Sequence, residues 1–356
     1  MTSMKALILA GGKGTRLRPI TYSMAKQLVP VANKPVLFYG LEAVAQAGIR
    51  EVGIIVGETA AEIQAAVGDG TRWGLQVTYI PQPEPLGLAH AVLVAEPFLG
   101  KTPFLMYLGD NLVKSNIAPL VREFERDRPN ALILLAEVPN PQEFGVAVLR
   151  GKRVVKLVEK PAQPPSNFAL VGVYLFDHHI FEAARAIRPS WRNELEITDA
   201  IQYLIDHGYT VRSHTITGWW KDTGSLDALL EANRLVLEDL ESAIEGEPIE
   251  SQLHGRVAIG RGSRLVRCTV RGPAIIGQNC TLEDCYIGPF TSVGNEVQLR
   301  ACEVEYSIIL DGSRIKSIEP RIEHSLLGKN VLVSGQARRP RALRLMLGDS
   351  SSVELP

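Results

Sequence analysis

A glycine run directly behind an apolar segment, Leu9-Ala10-Gly11-Gly12-Lys13-Gly14-Thr15-Arg16-Leu17-Arg18-Pro19, is the stretch best suited to holding phosphate. Gly11, Gly12 and Gly14 let backbone N–H groups approach phosphate oxygens without side-chain interference. Arg16 adds a planar guanidinium fork. The bland alternative is a tight turn beside a solvated arginine. Two familiar phosphate loops are excluded. A Walker loop needs Gly-Lys followed by Ser or Thr, and Gly14 follows Gly12-Lys13; a dinucleotide fingerprint needs glycine where Leu17 stands.

Two aspartates suggest a cation. Asp110, in Tyr107-Leu108-Gly109-Asp110-Asn111, ends an apolar strand, where a carboxylate has no packing reason to be. Asp222, in Trp219-Trp220-Lys221-Asp222-Thr223-Gly224, is its candidate partner. Mg²⁺ is held by one or two carboxylates plus substrate phosphates, so two aspartates suffice. Taken singly, an Asp-Asn step forms turns and Asp222 could cap a helix starting near Ser225. Gln82, in Pro81-Gln82-Pro83, carries an amide able to donate to and accept from an imide edge. Alone it would be an ordinary loop residue. No CxxC pair, HExxH or His/Cys cluster suggests zinc.

The elements that position these residues alternate. Lys5–Ala10, Val52–Val56, Val77–Ile80 and Phe104–Leu108 read as buried strands, and Val36–Ala47, Ala60–Val67, Leu88–Ala95 and Ala118–Arg126 as helices. This alternation predicts an α/β fold with a mostly parallel sheet covered on both faces. Ligands of such sheets lie outside the carboxyl ends of the strands, where Gly11–Arg16 and Gly109–Asn111 fall. Ala131–Glu137, a hairpin of Val146–Leu149 with Val154–Val158, and Leu170–Phe176 add strands. Helices at Ile180–Ala186, Thr198–His207 and Leu226–Leu240 complete the domain, and the acidic stretch Glu238–Glu250 marks its boundary.

Beyond lies a repeat. Ile259-Gly260, Ile276-Gly277 and Val293-Gly294 recur every 17 residues, as do Leu265, Leu282, Leu299 and Val270, Ile287, Val304. An inward aliphatic at every fifth or sixth position is the signature of a hexapeptide-type β-helix. Cys268, Cys285 and Cys302 keep the same step, which predicts a ladder of small buried hydrophobes rather than a metal or redox site. Leu343–Leu347 is the expected last coil.

Size and charge bound the function. The chain has 356 residues, enough for a large α/β domain and a smaller one. A net charge of −1 gives no support to nucleic-acid binding. No segment approaches the ~20 apolar residues that span a bilayer. Met4–Ala10 is too short for a signal-peptide core and fits a buried first strand better. The expectation is a cytoplasmic protein with no membrane partner.

The order Gly-Gly-Lys-Gly-Thr-Arg-Leu-Arg-Pro, then Lys26-Gln27-Leu28-Val29-Pro30-Val31, then Lys34-Pro35 resembles the sugar-nucleotide pyrophosphorylase family. Within it the chain is similar to the long glucose-1-phosphate thymidylyltransferases that end in a left-handed β-helix. The resemblance covers nearly all of Met4–Ser334 and is strongest in the first 240 residues. It implies a Rossmann-like nucleotide-diphospho-sugar transferase domain over 1–243, a left-handed β-helix over 244–356, and a homo-oligomer. It implies Mg²⁺ on Asp110 and Asp222, with dTTP or UTP and glucose 1-phosphate as substrates. Leu9, Gly11, Gly12, Gly14, Thr15 and Arg16 would hold the nucleotide, with Gln82 and Gly87 on the base. Arg16, Lys26 and Asp110 would be catalytic. Gly145, Glu159, Lys160, Val171 and Arg192 would bind the sugar phosphate. Asn193 departs from the glycine many relatives carry beside that arginine. A non-catalytic nucleotide-sensing subunit should have lost Lys26 or an aspartate, and all three are present. An acyltransferase β-helix would want a histidine between coils, whereas His254 and His324 lie at the edges of the repeat.

Overall fold

Lys5–Leu9 (β1) is apolar on both sides, and a computed structural model, which describes residues 4–151 and 153–335, places it inside a nine-stranded sheet. The other strands are Glu51–Val56 (β2), Gln76–Pro81 (β3), Phe104–Leu108 (β4), Ala131–Glu137 (β5), Gly145–Arg150 (β6), Arg153–Glu159 (β7), Phe168–Phe176 (β8) and Val211–Thr215 (β9). Their spatial order is β3-β2-β1-β4-β8-β5-β9-β7-β6. Strands β3, β2, β1 and β4 run parallel, as does the pair β5–β9. The remainder is antiparallel: β8 against β4 and β5, and β7 against β6 and β9. The parallel half is the half in which strands and helices alternate in the sequence, because parallel neighbours need a crossover.

Alternation along β1 explains the two-sided core. Leu7 and Leu9 enter one apolar cluster with the helices Leu88–Val94, His179–Ala186 and Ile197–Asp206; Ala6 and Ile8 enter the other, with Val36–Gln46, Ala60–Val67 and Ala118–Asp127. Strand β9 was not expected. Val211-Arg212-Ser213-His214-Thr215 has one fully buried apolar residue, so the pairing to β5, not hydrophobic pattern, makes it a strand.

The carboxyl ends of the parallel strands are laced together. Ala10 N donates to Ile55 O at 2.9 Å, Gly109 N to Leu9 O at 2.9 Å, and Gln82 N to Val56 O at 2.8 Å. Three loops rich in functional side chains thus emerge side by side. In β8 the register slips between Leu170 and Tyr174, with Gly172 at φ 79°. A Cβ there would lie 2.8 Å from Leu108 Cδ1, so only glycine lets this bulge close over the end of β4.

Contacts divide the chain into two compact units, one of residues 1–29 and 35–224, the other of residues 30–34 and 225 onward. The helix Leu226–Leu237, expected to complete the first domain, therefore packs with the second unit. Ser225 caps it, accepting from Ala228 N at 3.3 Å. Its buried Asn233 accepts from Ala32 N at 2.8 Å and from Ser292 Oγ at 2.7 Å, and donates to Phe290 O at 3.0 Å. The second unit's strands stack in three parallel sheets as a left-handed β-helix. Leu265, Leu282, Leu299 and Ile315 align in one column and Val270, Ile287, Val304 and Ile322 in another. Corner residues Arg267, Asp284 and Ala301 share a positive φ near 50°. Coil-to-coil hydrogen bonds such as Asp284 N to Val266 O, 3.0 Å, hold that disfavoured geometry. Cys268, Cys285 and Cys302 are buried, with 3.8 Å between Cys285 Sγ and Cys302 Sγ. The proposed last coil at Leu343–Leu347 lies outside the described residues. No helix among those described is long and apolar enough to cross a membrane.

Candidate active site

Lys26 follows the glycine loop in sequence and returns beneath it. A Cβ on Gly12 would lie 2.8 Å from Lys26 Cε, and one on Gly14, at φ 63°, 2.8 Å from Lys26 Cβ. The loop is glycine-rich because this lysine runs against it. Lys26 Nζ forms an ion pair with Asp110 Oδ2, and both side chains are largely buried. Burial pushes the lysine's pKa down and the carboxyl's up; their mutual attraction outweighs both, so Lys26 lies above its ordinary value and Asp110 below.

A two-stranded pairing brings the second aspartate in. Trp220–Asp222 runs antiparallel to Asn111–Val113, with Asp222 opposite Asn111. Thr223 ties the join, its N–H and Oγ1 donating to Asp110 O at 3.1 and 2.8 Å. Buried Asn111 donates to Asp110 Oδ1 at 3.0 Å and accepts from Trp220 Nε1 at 2.5 Å, fixing both loops. Burial and the Asp110 charge raise the Asp222 carboxyl, against Lys26 and Arg16. Arg16 is exposed and reaches Asp222 Oδ2 at 3.8 Å.

Around this cluster are two cavities. One of about 330 Å³ is lined by Leu9, Gly11, Gly12, Lys26, Gln82 and Gly87 among others. The second, about 250 Å³, takes in Gly145, Glu159, Lys160, Gly172, Trp220 and Asp222. Asp110, Arg192 and Glu194 line both. Gly14, Thr15 and Arg16 line neither, and Val171 is fully buried in the core while its neighbours Leu170 and Gly172 line the second cavity. Gln82 Nε2 lies 3.4 Å from Gly87 O and 3.0 Å from His90 Nδ1.

In the second cavity Glu159 Oε2 accepts from Thr198 Oγ1 at 3.0 Å. Arg192 is ringed by Glu159, Glu194 and Glu196 at 3.5, 2.9 and 3.6 Å. Burial, then Glu196, raises the Glu159 carboxyl despite Thr198, Lys160 and Arg192. This end offers carboxylates for hydroxyl groups together with a forked cation for an anion.

Several residues here went unseen in the sequence. Asn111, Thr198 and Trp220 matter through partners distant in the chain, whereas Glu194 and Glu196 stand two and four residues beyond their partner Arg192. Gln27 was within reach, adjoining Lys26: it is buried, lines the larger cavity, and its Oε1 has no hydrogen-bond partner among the described residues. A buried oxygen without a partner points to a ligand.

A family model for nucleotidyl transferase matches residues 5–239. The chain is 57% identical over 356 residues to a glucose-1-phosphate thymidylyltransferase of Streptomyces antibioticus, covering 99% of each chain. It is 55% identical over 354 residues to that of Streptomyces griseus, again covering 99% of each. It also superposes on a solved Bacillus anthracis structure bearing the same enzyme name, with TM-score 0.63 and 34% identity. That match covers 68% of this chain and 98% of the other.

Proposed function

Because the chain belongs to the nucleotidyl transferase family, we propose that it joins dTTP to glucose 1-phosphate, giving dTDP-glucose and pyrophosphate. The observation that carries this reading is the convergence of Lys26, Asp110 and Asp222 where two cavities meet. A glycine loop lines the first cavity, and the hydroxyl- and anion-binding groups line the second.

The nucleotide occupies the larger cavity, its phosphates against Gly11 and Gly12 and extending beyond the cavity toward Gly14–Arg16, its base toward Gln82 and Gly87. Glucose 1-phosphate occupies the smaller one, with Glu159 accepting from sugar hydroxyls and Arg192 and Lys160 meeting the phosphate. Val171 contributes backbone only, since its side chain is in the core. The attacking phosphate oxygen is already anionic, so the enzyme needs no general base. Positioning and charge neutralisation do the work. Lys26 supplies positive charge at the α-phosphorus, and Arg16, exposed and on a weak 3.8 Å contact, is available to the departing pyrophosphate.

Asp110 and Asp222 fit Mg²⁺ by their chemistry: they are neighbouring carboxylates, and burial, then the Asp110 charge, raises the Asp222 carboxyl. Bound there, Mg²⁺ would neutralise charge on the phosphates. Residues 1–243 carry the reaction in this reading. The β-helix beyond them serves homo-oligomer assembly, and the substrates place the enzyme in the cytoplasm.

The test is pyrophosphate release from dTTP, UTP, dCTP and ATP against several sugar 1-phosphates, with and without Mg²⁺. The expected result is Mg²⁺-dependent release strongest with dTTP and glucose 1-phosphate. Equal release with ATP would remove the base assignment, and release unaffected by chelation would remove the metal.

A further inference from the structure

One face of the sheet sets arginines side by side. Arg150 at the end of β6 stands opposite Arg153 at the start of β7, and Arg153 stands opposite Arg212 in β9. Directly opposed residues share a face, and like charges so placed repel. Leu149, Val154 and Val211, each next to one of these arginines, turn into the first apolar cluster. The three arginines therefore lie on the other face, and all are exposed. The second apolar cluster fills that face along β1, β4 and β5 but takes no described residue from β6, β7 or β9. Beside the row is a cavity of about 540 Å³, lined by Arg153 and Arg212, by Glu123, Arg126 and Asp127 of the helix Ala118–Asp127, and by residues 208–213. It shares no described lining residue with the two cavities of the candidate active site. Asp127 accepts from Arg126 Nε and Nη2 at 2.6 and 3.0 Å and also from Arg212 Nη1. Glu123 faces His214 Nδ1 at 3.2 Å. Arg150 and Arg153 have no acidic partner among the described residues.

We propose that this cavity is a second anion site, which takes a diphosphate, free or as an ester, with Arg153 as its central ligand. Guanidinium forks meet phosphate oxygens two at a time, and Arg153 presents such a fork with no carboxylate to displace. Opposed strand residues are about 5 Å apart, so Arg150, Arg153 and Arg212 span roughly 10 Å. That is longer than one phosphate and suits two in line. An anion laid along the row turns its repulsion into attraction. Arg126 and Arg212, which divide a single carboxylate between them, stand at the flanks. The volume lies within the range of about 300–1,000 Å³ that small-molecule sites occupy. Tyr209 in the lining offers an aromatic surface to the organic part of an ester. None of this depends on which reaction the chain catalyses.

The experiment is calorimetric titration of the full chain with pyrophosphate and, separately, with ADP, in EDTA. It compares the unsubstituted protein, Arg153→Gln, Arg153→Lys and Arg261→Gln, the last an equal loss of charge at an exposed arginine of the β-helix. Thermal melting without ligand accompanies each. The expected result is one binding event weakened about tenfold or more in Arg153→Gln, the range for losing a hydrogen bond to a charged group. Arg261→Gln leaves that event unchanged, and Arg153→Lys, which keeps charge without the fork, falls between. The unliganded melting point of Arg153→Gln does not fall, because the change removes a like-charged neighbour. Its kcat for pyrophosphate release from dTTP and glucose 1-phosphate also stays unchanged, which separates the event from binding in the candidate active site. An Arg153-dependent event with ADP alone assigns the site to an ester, with pyrophosphate alone to the free anion, and with both to the diphosphate group itself. Titrations that Arg153→Gln leaves unaltered overturn the site. So does an equal loss in Arg261→Gln, a lowered melting point for unliganded Arg153→Gln, or a glutamate hexapeptide that binds more tightly than either phosphate probe.

Discussion

Buried polar groups are used in opposite ways in the two units. In the first, Lys26 meets Asp110 across 84 residues, side chain to side chain, with Asp222 beside them and Arg16 3.8 Å from it. In the β-helix, buried hydroxyls meet backbone one coil away: Ser263 Oγ donates to Gly277 O at 2.7 Å and accepts from Cys280 N at 2.9 Å, 14 and 17 residues distant. The Ser263 arrangement is neutral and bonded on both sides; the first is charged. Charge gathered in a cavity marks a place for a ligand, whereas local bonding to backbone marks architecture.

Breaking the charged cluster should have the largest effect. Lys26→Ala and Asp110→Asn are expected to lower kcat by on the order of 10²–10³ while still binding nucleotide, measured by single-turnover pyrophosphate release and by nucleotide titration. Near-normal turnover by either would cancel its role. Breaking the β-helix should do the reverse. Leu282→Ala, in a fully buried column, is expected to cost about 3 kcal/mol of stability in urea unfolding, with kcat per folded molecule unchanged.

Smaller effects sharpen the contrast inside the first unit. Glu159→Gln keeps the shape and halves the acceptor strength toward sugar hydroxyls. It should raise KM for glucose 1-phosphate about tenfold and leave KM for dTTP alone. Asp222→Asn gives the smallest change and the most diagnostic sign. The folded-state carboxyl is raised, so its contribution to stability is fully present in acid and lost as pH rises from the ordinary carboxylate range through the raised value. At neutral pH without Mg²⁺ the variant should melt higher than the parent, on the order of 2 °C. The difference should vanish in acid. Asp110, held below its ordinary value by Lys26 against burial, behaves oppositely: its stabilisation is present above the ordinary value and lost as pH falls. A lower melting point for Asp222→Asn at neutral pH would contradict the electrostatic picture.

What was legible in the sequence follows the same division. The 17-residue step named the columns Leu265–Leu282–Leu299 and Val270–Ile287–Val304 because in a solenoid sequence distance and spatial distance are locked together. Strand and helix boundaries in the parallel half were read closely for a related reason, since crossovers alternate two hydrophobic periods. Of the candidate site, the residues at strand ends were legible, since Gly11, Asp110 and Glu159 sit where a packing-only chain would not put them, and each lines a cavity. Strand β9, the Asn111–Trp220 hydrogen bond and the approach of Glu159 to Arg192 were hidden, because each is created by a tertiary pairing.

The central claim is that Asp110 and Asp222 share one cation while Lys26 acts on the phosphate. Its most direct test is the Mg²⁺ dependence of pyrophosphate release from dTTP and glucose 1-phosphate in Asp222→Asn and Lys26→Ala. The account requires the aspartate variant to need about tenfold more Mg²⁺ for half-maximal rate. The lysine variant should keep the parental Mg²⁺ midpoint at a greatly reduced maximal rate. A midpoint shifted by the lysine change, or unmoved by the aspartate change, would contradict it.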